Sequence, residues 1–338
     1  MLVLTEQVIT SLLQNLTQKE AVSYQDTLLA ALSEYENDES IIPPRIVTTT
    51  PYCTHLFMAS TGSHVGMKAI TGSREGFKGI TTILNKENGY PLGIINCATL
   101  TAFRTALCNS LPLVKFYPLS ENYNDETLLI FGVGDQAIWH TRLSIILYPN
   151  RFSNVVIVNR TISKAELLCK NFKIEYPNIN FKSVAIDNKS TLLSEFSKAS
   201  IVFTCIPTSI PTVTKELVAQ HGSKRLFIGA IGSYKPHMTE IEGSVMKDYV
   251  ISKGNKIVVD SIDHCLHEAG EFIINDIKKD NLIDISSIYS NETNSSFLSS
   301  SQIAVSKLVG LCIMDVWVGS RCLEEAKLKG VGIEIDNF

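Results

Sequence analysis

The sequence predicts an α/β fold, a doubly wound parallel sheet joined to a discontinuous α+β domain. Three observations lead to this prediction. Apolar strands and amphipathic helices alternate from residue 127 to about residue 280, a glycine-rich turn follows the first of these strands, and short strands flanked by helices occupy the first 121 residues. At roughly 150 residues per domain, a chain of 338 residues has room for both.

The first domain is expected to begin with two helices between residues 5 and 36, the first of them capped by Thr5. Short strands are then predicted at 46–48, 55–58, 67–70, 79–84 and 91–95. Residues Asn85 to Gly89 predict a hairpin turn between the last two strands. A helix is expected from Thr99 to about Lys115, and the polar residues 121 to 126 predict a hinge.

The second domain is expected to contain the parallel sheet. Its strands are predicted near 127–131, 154–158, 180–186, 200–206, 225–231 and 256–260. The serine-rich residues 286–301 predict a flexible surface loop, and Ile303 to Lys329 predict a long helix ended by Gly330. Because such a helix would return to the first domain, the expected domains are 1–121 with 303–338, and 122–302.

The glycine-rich turn indicates a Rossmann-type dinucleotide site. A strand leads into Gly132, Gly134, Gln136 and Ala137, and a helix follows, so backbone N–H groups can approach a pyrophosphate. Where an NAD-binding protein places an acidic residue for the ribose, the next strand ends in Asn159-Arg160-Thr161. An arginine between two neutral polar residues favours a 2′-phosphate, and hence NADP(H) over NAD(H).

Composition limits the classes of partner. Hydrophobic residues make up 45% of the chain and charged residues 19%, which is typical of a soluble globular protein. The net charge of −4 gives no reason to expect nucleic acid or an anionic membrane. Eight cysteines without a Cys-x-x-Cys motif are expected to be reduced thiols, and the absence of a long apolar stretch or a basic leader predicts a cytoplasmic protein.

Motifs spread over nearly the whole chain resemble the ornithine cyclodeaminase/μ-crystallin family. They are Pro43-Pro44-Arg45, Gly66-Met67-Lys68, Gly89-Tyr90-Pro91-Leu92-Gly93, Thr101-Ala102-Phe103-Arg104-Thr105-Ala106, the turn from Gly132 to Ala137, Val158-Asn159-Arg160-Thr161, Ala230-Ile231-Gly232 with Pro236 and Glu240, and Lys307-Leu308-Val309-Gly310 with Asp315. The resemblance implies a homodimer of two-domain subunits. A first domain, completed by the C-terminal helix, binds substrate and forms the dimer, and a Rossmann domain carries NAD(P).

The same resemblance implies hydride exchange at a carbon that bears an amino or imino group next to a carboxylate. Arg45 and Arg104 occupy the positions that the family uses for the substrate carboxylate, and a planar guanidinium can bind two carboxylate oxygens. Without the resemblance, Arg45 would more often be a solvated loop arginine, whereas Arg104 fits a ligand contact and a structural ion pair equally well. Lys68 lies in an apolar strand, where desolvation suits it to proton transfer or to a hydrogen bond with the imine nitrogen, although edge lysines also protect strands from aggregation.

Two departures from the family pattern restrict the transfer of function, and one group of residues could suggest a metal. Tyr234 stands where ornithine cyclodeaminases have an aspartate for the distal amine, and nothing in the sequence directs Glu240 or Glu242 to that place. Ser306-Lys307-Leu308-Val309-Gly310 replaces the usual Phe-Lys-Ser-Val-Gly near the nicotinamide, so Lys307 is expected at the cofactor. The acidic and histidine residues Asp260, Asp263, His264 and His267 are interpreted as helix surface, and no metal is expected.

These observations predict an NADPH-dependent reductase of a small cyclic imino acid, a ketimine such as pyrroline-2-carboxylate or piperideine-2-carboxylate, or of a related 2-oxo or amino acid. Tyr234 is expected to form part of the substrate site. Two alternatives remain: an NAD-dependent ornithine cyclodeaminase that forms proline and ammonia, and an NADPH-dependent ligand-binding protein of μ-crystallin type without turnover.

Overall fold

The computed structural model describes residues 1–73, 76–222 and 224–336. It contains two compact units, Met1–Cys108 with Gly310–Phe338, and Asn109–Val309. The boundaries expected from the sequence, at 121/122 and 302/303, differ from these. The helix that begins near residue 97 continues to Phe116, and residues 303–307 form a strand in the sheet of the second unit.

The helices and strands follow one another in the order expected of an α/β chain. The helices are α1 (Glu6–Leu13), α2 (Gln18–Asn37), α3 (Cys97–Phe116), α4 (Asp135–Leu147), α5 (Ile162–Glu175), α6 (Lys189–Phe196), α7 (Lys215–Gln220), α8 (Gly243–Tyr249), α9 (Ile262–Glu268), α10 (Gly270–Ile274), α11 (Ile285–Ser290), α12 (Glu292–Ser300) and α13 (Cys312–Leu328). The strands are β1 (Leu2–Leu4), β2 (Ile46–Thr49), β3 (Thr54–Ser60), β4 (Val65–Ser73), β5 (Gly76–Leu84), β6 (Pro91–Asn96), β7 (Glu126–Phe131), β8 (Phe152–Asn159), β9 (Asn180–Ala185), β10 (Ala199–Thr204), β11 (Leu226–Ala230), β12 (Ile257–Val259), β13 (Leu282–Asp284), β14 (Ile303–Lys307) and β15 (Ile333–Glu334).

The first unit is a mixed sheet with a helix on one face. Among the described residues its strands lie in the order β15-β1-β6-β5-β4-β3-β2, and β1 pairs with β6 in parallel while the other pairs are antiparallel. Helix α13 packs on β3, β4 and β5. Because successive side chains of a strand point to opposite faces, Lys68 of β4 is buried while its neighbour Met67 is exposed.

The opposite face of this sheet carries an exposed apolar row. Ile46, Phe57, Ala69 and Ile80 are cross-strand neighbours on β2 to β5, and we call them the outer row. Ile46 is 63% exposed, Phe57 42% and Ile80 43%. A contiguous apolar surface of this kind is uncommon on a monomer and typically marks an interaction site.

The second unit confirms the predicted doubly wound parallel sheet. Its described strands lie in the order β13-β12-β14-β11-β10-β7-β8-β9, and every pair is parallel. The strands are almost continuously apolar because helices cover both faces of such a sheet. The strand order reverses between β7 and β10, and ligands of open α/β sheets bind outside the carboxyl ends of strands at this reversal.

The prediction of a flexible loop at residues 286–301 is wrong, because the segment forms α11 and α12. Asn291 caps α12 by accepting a hydrogen bond from the Thr293 amide, and serine hydroxyls of the helix donate to carbonyls three or four residues earlier. Leu298 is fully buried. Serine is a poor helix former in general, but a cap and one buried anchor residue provide the stability that composition does not show.

The long helix predicted for Ile303 to Lys329 is partly wrong. Residues Ile303–Lys307 form β14, which lies between β11 and β12, and the helix begins only at Cys312. A short apolar run fits a buried parallel strand and a buried helix equally well, so periodicity could not separate them. Strands β1 and β15 were not predicted, although strands β2 to β6 of the first unit were.

Two further expectations concern the whole chain. The eight cysteines are free, and all but Cys53 and Cys205 are buried, as expected of reduced thiols. In the part of the chain that the structure describes, no helix combines the length and apolarity needed to span a bilayer.

Candidate active site

The glycine turn of the second unit has the geometry that a dinucleotide requires. Gly132 has a φ of +114°, and a Cβ there would lie 3.1 Å from the Cys205 carbonyl oxygen, so glycine is needed for both conformation and space. Gly134 is the N-cap of α4, so the helix has no side-chain cap. Apart from its chain neighbours, none of the described residues places an atom within 4 Å of where a Cβ of Gly134 would stand. The first turn of α4 is therefore open to an anion.

Two side chains of the turn add to this fit. Gln136 places a buried amide oxygen here that has no hydrogen-bond partner among the described residues, and Ala137 is fully buried against the sheet. An unpaired buried amide is costly unless a ligand satisfies it. The residues present therefore fit a bound dinucleotide.

The end of β8 lies beside this turn, since the Gly132 amide donates to the Val158 carbonyl over 2.8 Å. Asn159 uses its amide nitrogen locally, on the carbonyl of Thr161 at 2.9 Å. Arg160 and Thr161 are exposed, and Thr161 is the N-cap of α5 without a side-chain cap bond. Arg160 is thus the positively charged side chain at the position where a phosphate on the adenosine ribose would bind.

Lys307, expected at the cofactor, is instead inside the second unit. It is 1% exposed, and its ammonium donates to the carbonyl and the hydroxyl of Ser233 over 2.5 and 2.6 Å. Glu240 and Glu271 lie 3.8 and 3.7 Å from the same nitrogen. These partners satisfy the hydrogen bonds and the charge of the ammonium without a cofactor contact. Lys307 therefore anchors the segment after β11.

Tyr234 follows that anchored segment and is half-buried, and burial raises the pKa of its phenol. The two acids considered as replacements for the missing aspartate are both occupied. Glu240 accepts from Thr204, Ile206 and Ser233, and its burial raises its pKa to about 7. Glu242 is the N-cap residue of α8, and its carboxylate accepts from the Lys215 amide and the Ser244 hydroxyl. Chiefly the Ser244 bond lowers its pKa.

The acid and histidine group after β12 has structural roles. Asp260 is buried and accepts from the Val309 and Ser261 amides, while His264 bonds to Glu268 and His267 to the Asp263 carbonyl. Within the described residues, no cluster of three or more potential ligands could hold a metal ion.

In the first unit, Lys68 lies in a buried polar cluster. It is 2% exposed, and its ammonium donates to the Thr101 hydroxyl over 2.6 Å and to Oδ1 of Asp315 over 2.7 Å. Burial lowers the pKa of Lys68, an effect that Asp315 opposes and Arg104 reinforces. Thr81, its register partner on β5, has a buried hydroxyl without a partner in the described chain.

Arg104 shares the same carboxylate, since its Nε donates to Oδ1 of Asp315 over 3.2 Å. Arg45 donates to the carbonyl of Gly310 over 2.8 Å. Gly310 has a φ of +91°, and a Cβ there would lie 2.9 Å from Nη1 of Arg104, so only glycine lets that guanidinium approach. Gly310 thus brings both arginines to one place.

The electrostatics of this cluster favour an anion. Lys68 and Arg104 carry two positive charges when ionised, and the Asp315 carboxylate that they share supplies one negative charge, which leaves an excess of one. Buried charge is costly unless it is paired, so a carboxylate ligand would stabilise the arrangement. Asp315, Thr101 and Gly310 were given no role from the sequence, although an acid inside the apolar start of α13 was a visible signal.

Known proteins resemble this chain over most of its length. The model of the ornithine cyclodeaminase/mu-crystallin family matches residues 57–329. An uncharacterized protein of Saccharomyces cerevisiae is 28% identical over 78% of this chain and 79% of its own length. Delta(1)-pyrroline-2-carboxylate reductase of Bacillus cereus is 26% identical over 90% of this chain and 92% of its own.

Solved structures show the same fold. The Delta(1)-pyrroline-2-carboxylate reductase of Thermococcus litoralis, in complex with NADH and L-proline, superposes with a TM-score of 0.79 at 18% identity, covering 99% of this chain and all (100%) of that one. An archaeal alanine dehydrogenase dimer with bound NAD gives 0.77 at 19% identity, covering 100% and 99%.

Proposed function

This chain belongs to the ornithine cyclodeaminase/mu-crystallin family, and from that premise we propose that it is an NADPH-dependent reductase. Its substrate is a small cyclic imino acid, a ketimine such as pyrroline-2-carboxylate or piperideine-2-carboxylate, or a related 2-oxo or amino acid. The observation that carries the proposal is the buried pair of cations Lys68 and Arg104 on the single carboxylate of Asp315, with the half-buried Arg45 at Gly310 beside Arg104. The similarity of the Bacillus cereus Delta(1)-pyrroline-2-carboxylate reductase along 90% of this chain adds support.

Each cation has a part in the proposed reaction. Arg45 and Arg104 bind the substrate carboxylate, because guanidinium groups pair with carboxylates through two parallel hydrogen bonds. Lys68 donates a hydrogen bond or a proton to the substrate nitrogen, for which a lowered pKa is suitable. When bound, NADPH supplies the hydride that the carbon of the C=N bond accepts. Tyr234 supplies a phenol and an apolar wall to the substrate site.

The second unit binds the cofactor in this proposal. The pyrophosphate meets the turn formed by Gly132, Gly134, Gln136 and Ala137, and the adenosine ribose meets Asn159, Arg160 and Thr161. Arg160 favours NADPH because it offers a charge-assisted hydrogen bond to a 2′-phosphate, whereas none of Asn159, Arg160 and Thr161 is an acid that could accept hydrogen bonds from the ribose hydroxyls of NADH.

The first unit binds the substrate and forms a symmetric homodimer. The outer row is the surface that supports this proposal, because apolar side chains that are 42% to 63% exposed in one chain would be buried against a second copy. One structural relative, the archaeal alanine dehydrogenase, is itself a dimer.

A cyclodeaminase is the less favoured activity. It needs a carboxylate for the distal ammonium of ornithine, and burying that charge against a phenol would cost several kcal/mol. Glu240 and Glu242 accept hydrogen bonds from their own neighbours, and Tyr234 provides no negative charge. A ligand-binding protein without turnover would keep the same three cations, so only a kinetic experiment separates it from an enzyme.

The test is an assay of purified protein with NADPH and a panel of cyclic imino acids, followed by the loss of NADPH absorbance. We expect oxidation with pyrroline-2-carboxylate or piperideine-2-carboxylate, and little or no proline from ornithine with NAD. Binding of NADPH without turnover of any panel member would instead identify a binding protein. Efficient conversion of ornithine to proline and ammonia would establish the cyclodeaminase.

A further inference from the structure

Asp315 joins three structural elements at one oxygen atom. Its Oδ1 accepts from Lys68 of β4 over 2.7 Å and from Arg104 of α3 over 3.2 Å, and the residue itself belongs to α13. The side chain has no solvent exposure. Its other oxygen, Oδ2, has no hydrogen-bond partner among the described residues. The carboxylate therefore does not cap a helix or a loop, and its two described partners are the cations.

Asp315 is also the group whose charge acts most strongly on Lys68. The titratable groups that act on Lys68 are Asp315 and Cys312 from α13 and Arg104 and Cys97 from α3. Burial raises the pKa of the Cys97 thiol, and it raises that of Cys312 to about 12, so both thiols are neutral at neutral pH. Of the groups named here, the Asp315 carboxylate is therefore the anion that opposes the effect of burial on Lys68.

The position of the Lys68 ammonium is fixed from a second side. The Thr101 hydroxyl donates to the carbonyl of Cys97, one turn earlier in α3, so its oxygen is turned to accept from Lys68. Arg104 lies three residues further along the same helix. Thr101 and Asp315 together thus relate the ammonium of Lys68 to the guanidinium of Arg104.

We propose that Asp315 is a positioning residue, which holds the proton-donating Lys68 and the carboxylate-binding Arg104 at a fixed spacing through one shared oxygen. The inference rests on the proposed function, since it gives Lys68 and Arg104 their parts. A ketimine carries its nitrogen and its carboxylate on the same carbon, so the two protein groups must meet the substrate at a matching separation. Asp315 sets that separation without contacting the substrate.

The first experiment is Asp315→Asn, which keeps the shape and removes the charge. We expect kcat to fall by up to about 100-fold, because a small misplacement of reacting groups is costly. Loss of the anion lowers the pKa of Lys68, so the alkaline limb of the kcat profile should move to lower pH by about one to three units. Glu325→Gln is the matched control, since Glu325 is on the same helix and pairs with Arg321 at 3.0 Å.

NADPH affinity, a property of the second unit, should be unchanged in both variants. If kcat of Asp315→Asn stays near normal and the alkaline limb of its kcat–pH profile does not move, the inference is overturned. The proposed function is left intact by that result. A merely structural role would lower the yield of folded protein in Asp315→Asn but would leave the pH limb of the folded fraction where it is in the parent.

A second experiment needs no turnover and tests the charge coupling of Lys68 and Asp315 even if the parent reduces no imino acid. The cluster of Lys68, Arg104 and Asp315 carries one net positive charge, Asp315→Asn raises this to two, and Lys68→Met with Asp315→Asn restores one. We expect the double variant to denature at higher denaturant concentration than Asp315→Asn alone. Additive losses of the two substitutions would overturn the coupling that the proposal requires.

Discussion

Replacement of Arg160 by alanine tests the cofactor assignment most directly. A hydrogen bond to a charged group contributes about 1.5–3 kcal/mol, and each 1.4 kcal/mol is a factor of about ten in affinity. Arg160 is exposed, which places its contribution at the lower end of that range because solvent screens it. The amide of Asn159 is already used on Thr161, so it adds little. We therefore expect the parent to bind NADPH at least about tenfold more tightly than NADH.

Arg160→Ala should remove most of this preference and leave NADH affinity nearly unchanged, because NADH offers no phosphate to the lost guanidinium. Calorimetric titration of each nucleotide at one fixed ionic strength measures both effects. Lys170→Ala is the control, since it removes an exposed positive charge later in the same helix, α5. Equal affinities of the parent for the two nucleotides would refute the reasoning.

Three further predictions test other parts of the molecule. Lys68→Ala should lower turnover about 100-fold or more with little change in NADPH affinity, whereas the exposed strand lysine variant Lys78→Ala should behave as the parent; near-normal turnover of Lys68→Ala would make the lysine structural. Ile80→Asp should convert the dimer to a monomer in light scattering, while Leu167→Asp, on α5 and 60% exposed, should not; a parent that is monomeric at micromolar concentration contradicts the interface. Burial raises the pKa of Glu240 to about 7, so its proton stabilises the native state fully below the unfolded pKa and that stability is lost as pH rises through about 7. The denaturation midpoint of the parent should therefore fall more between about pH 5 and pH 8 than that of Glu240→Gln, and parallel curves would show that Glu240 does not titrate in this range.

Local patterns predicted much of the fold. The glycine turn, the hairpin at residues 85–89 and the alternating strands of the second unit depend on neighbouring residues, and the structure contains them as expected. Strand β14 and the helices in the serine-rich segment were missed because their stability comes from long-range partners. Strand β14 pairs with β11, and Arg225 donates to the Leu298 carbonyl of α12.

The candidate site was only partly accessible to the same reasoning. Arg45, Lys68 and Arg104 were proposed from motifs, and the structure brings the last two to one carboxylate. Asp315 lies 247 residues from Lys68 along the chain, so no local pattern could reveal that they form an ion pair. Lys307 shows the opposite difficulty. A motif predicted it at the cofactor, but its buried ammonium donates a hydrogen bond to the Ser233 carbonyl.

The discontinuous first unit has a consequence for synthesis on the ribosome. Residues 109–309 form a contiguous unit that can fold as it emerges, whereas the first unit lacks α13 until the residues after 310 have been made. At about 5–20 residues per second, the 247 residues between Lys68 and Asp315 take about 12 to 50 seconds to synthesise. Until α13 has been made, Lys68 and Arg104 have no counter-charge from it, so the earlier part of the first unit lacks the ion pairs that complete it in the finished fold.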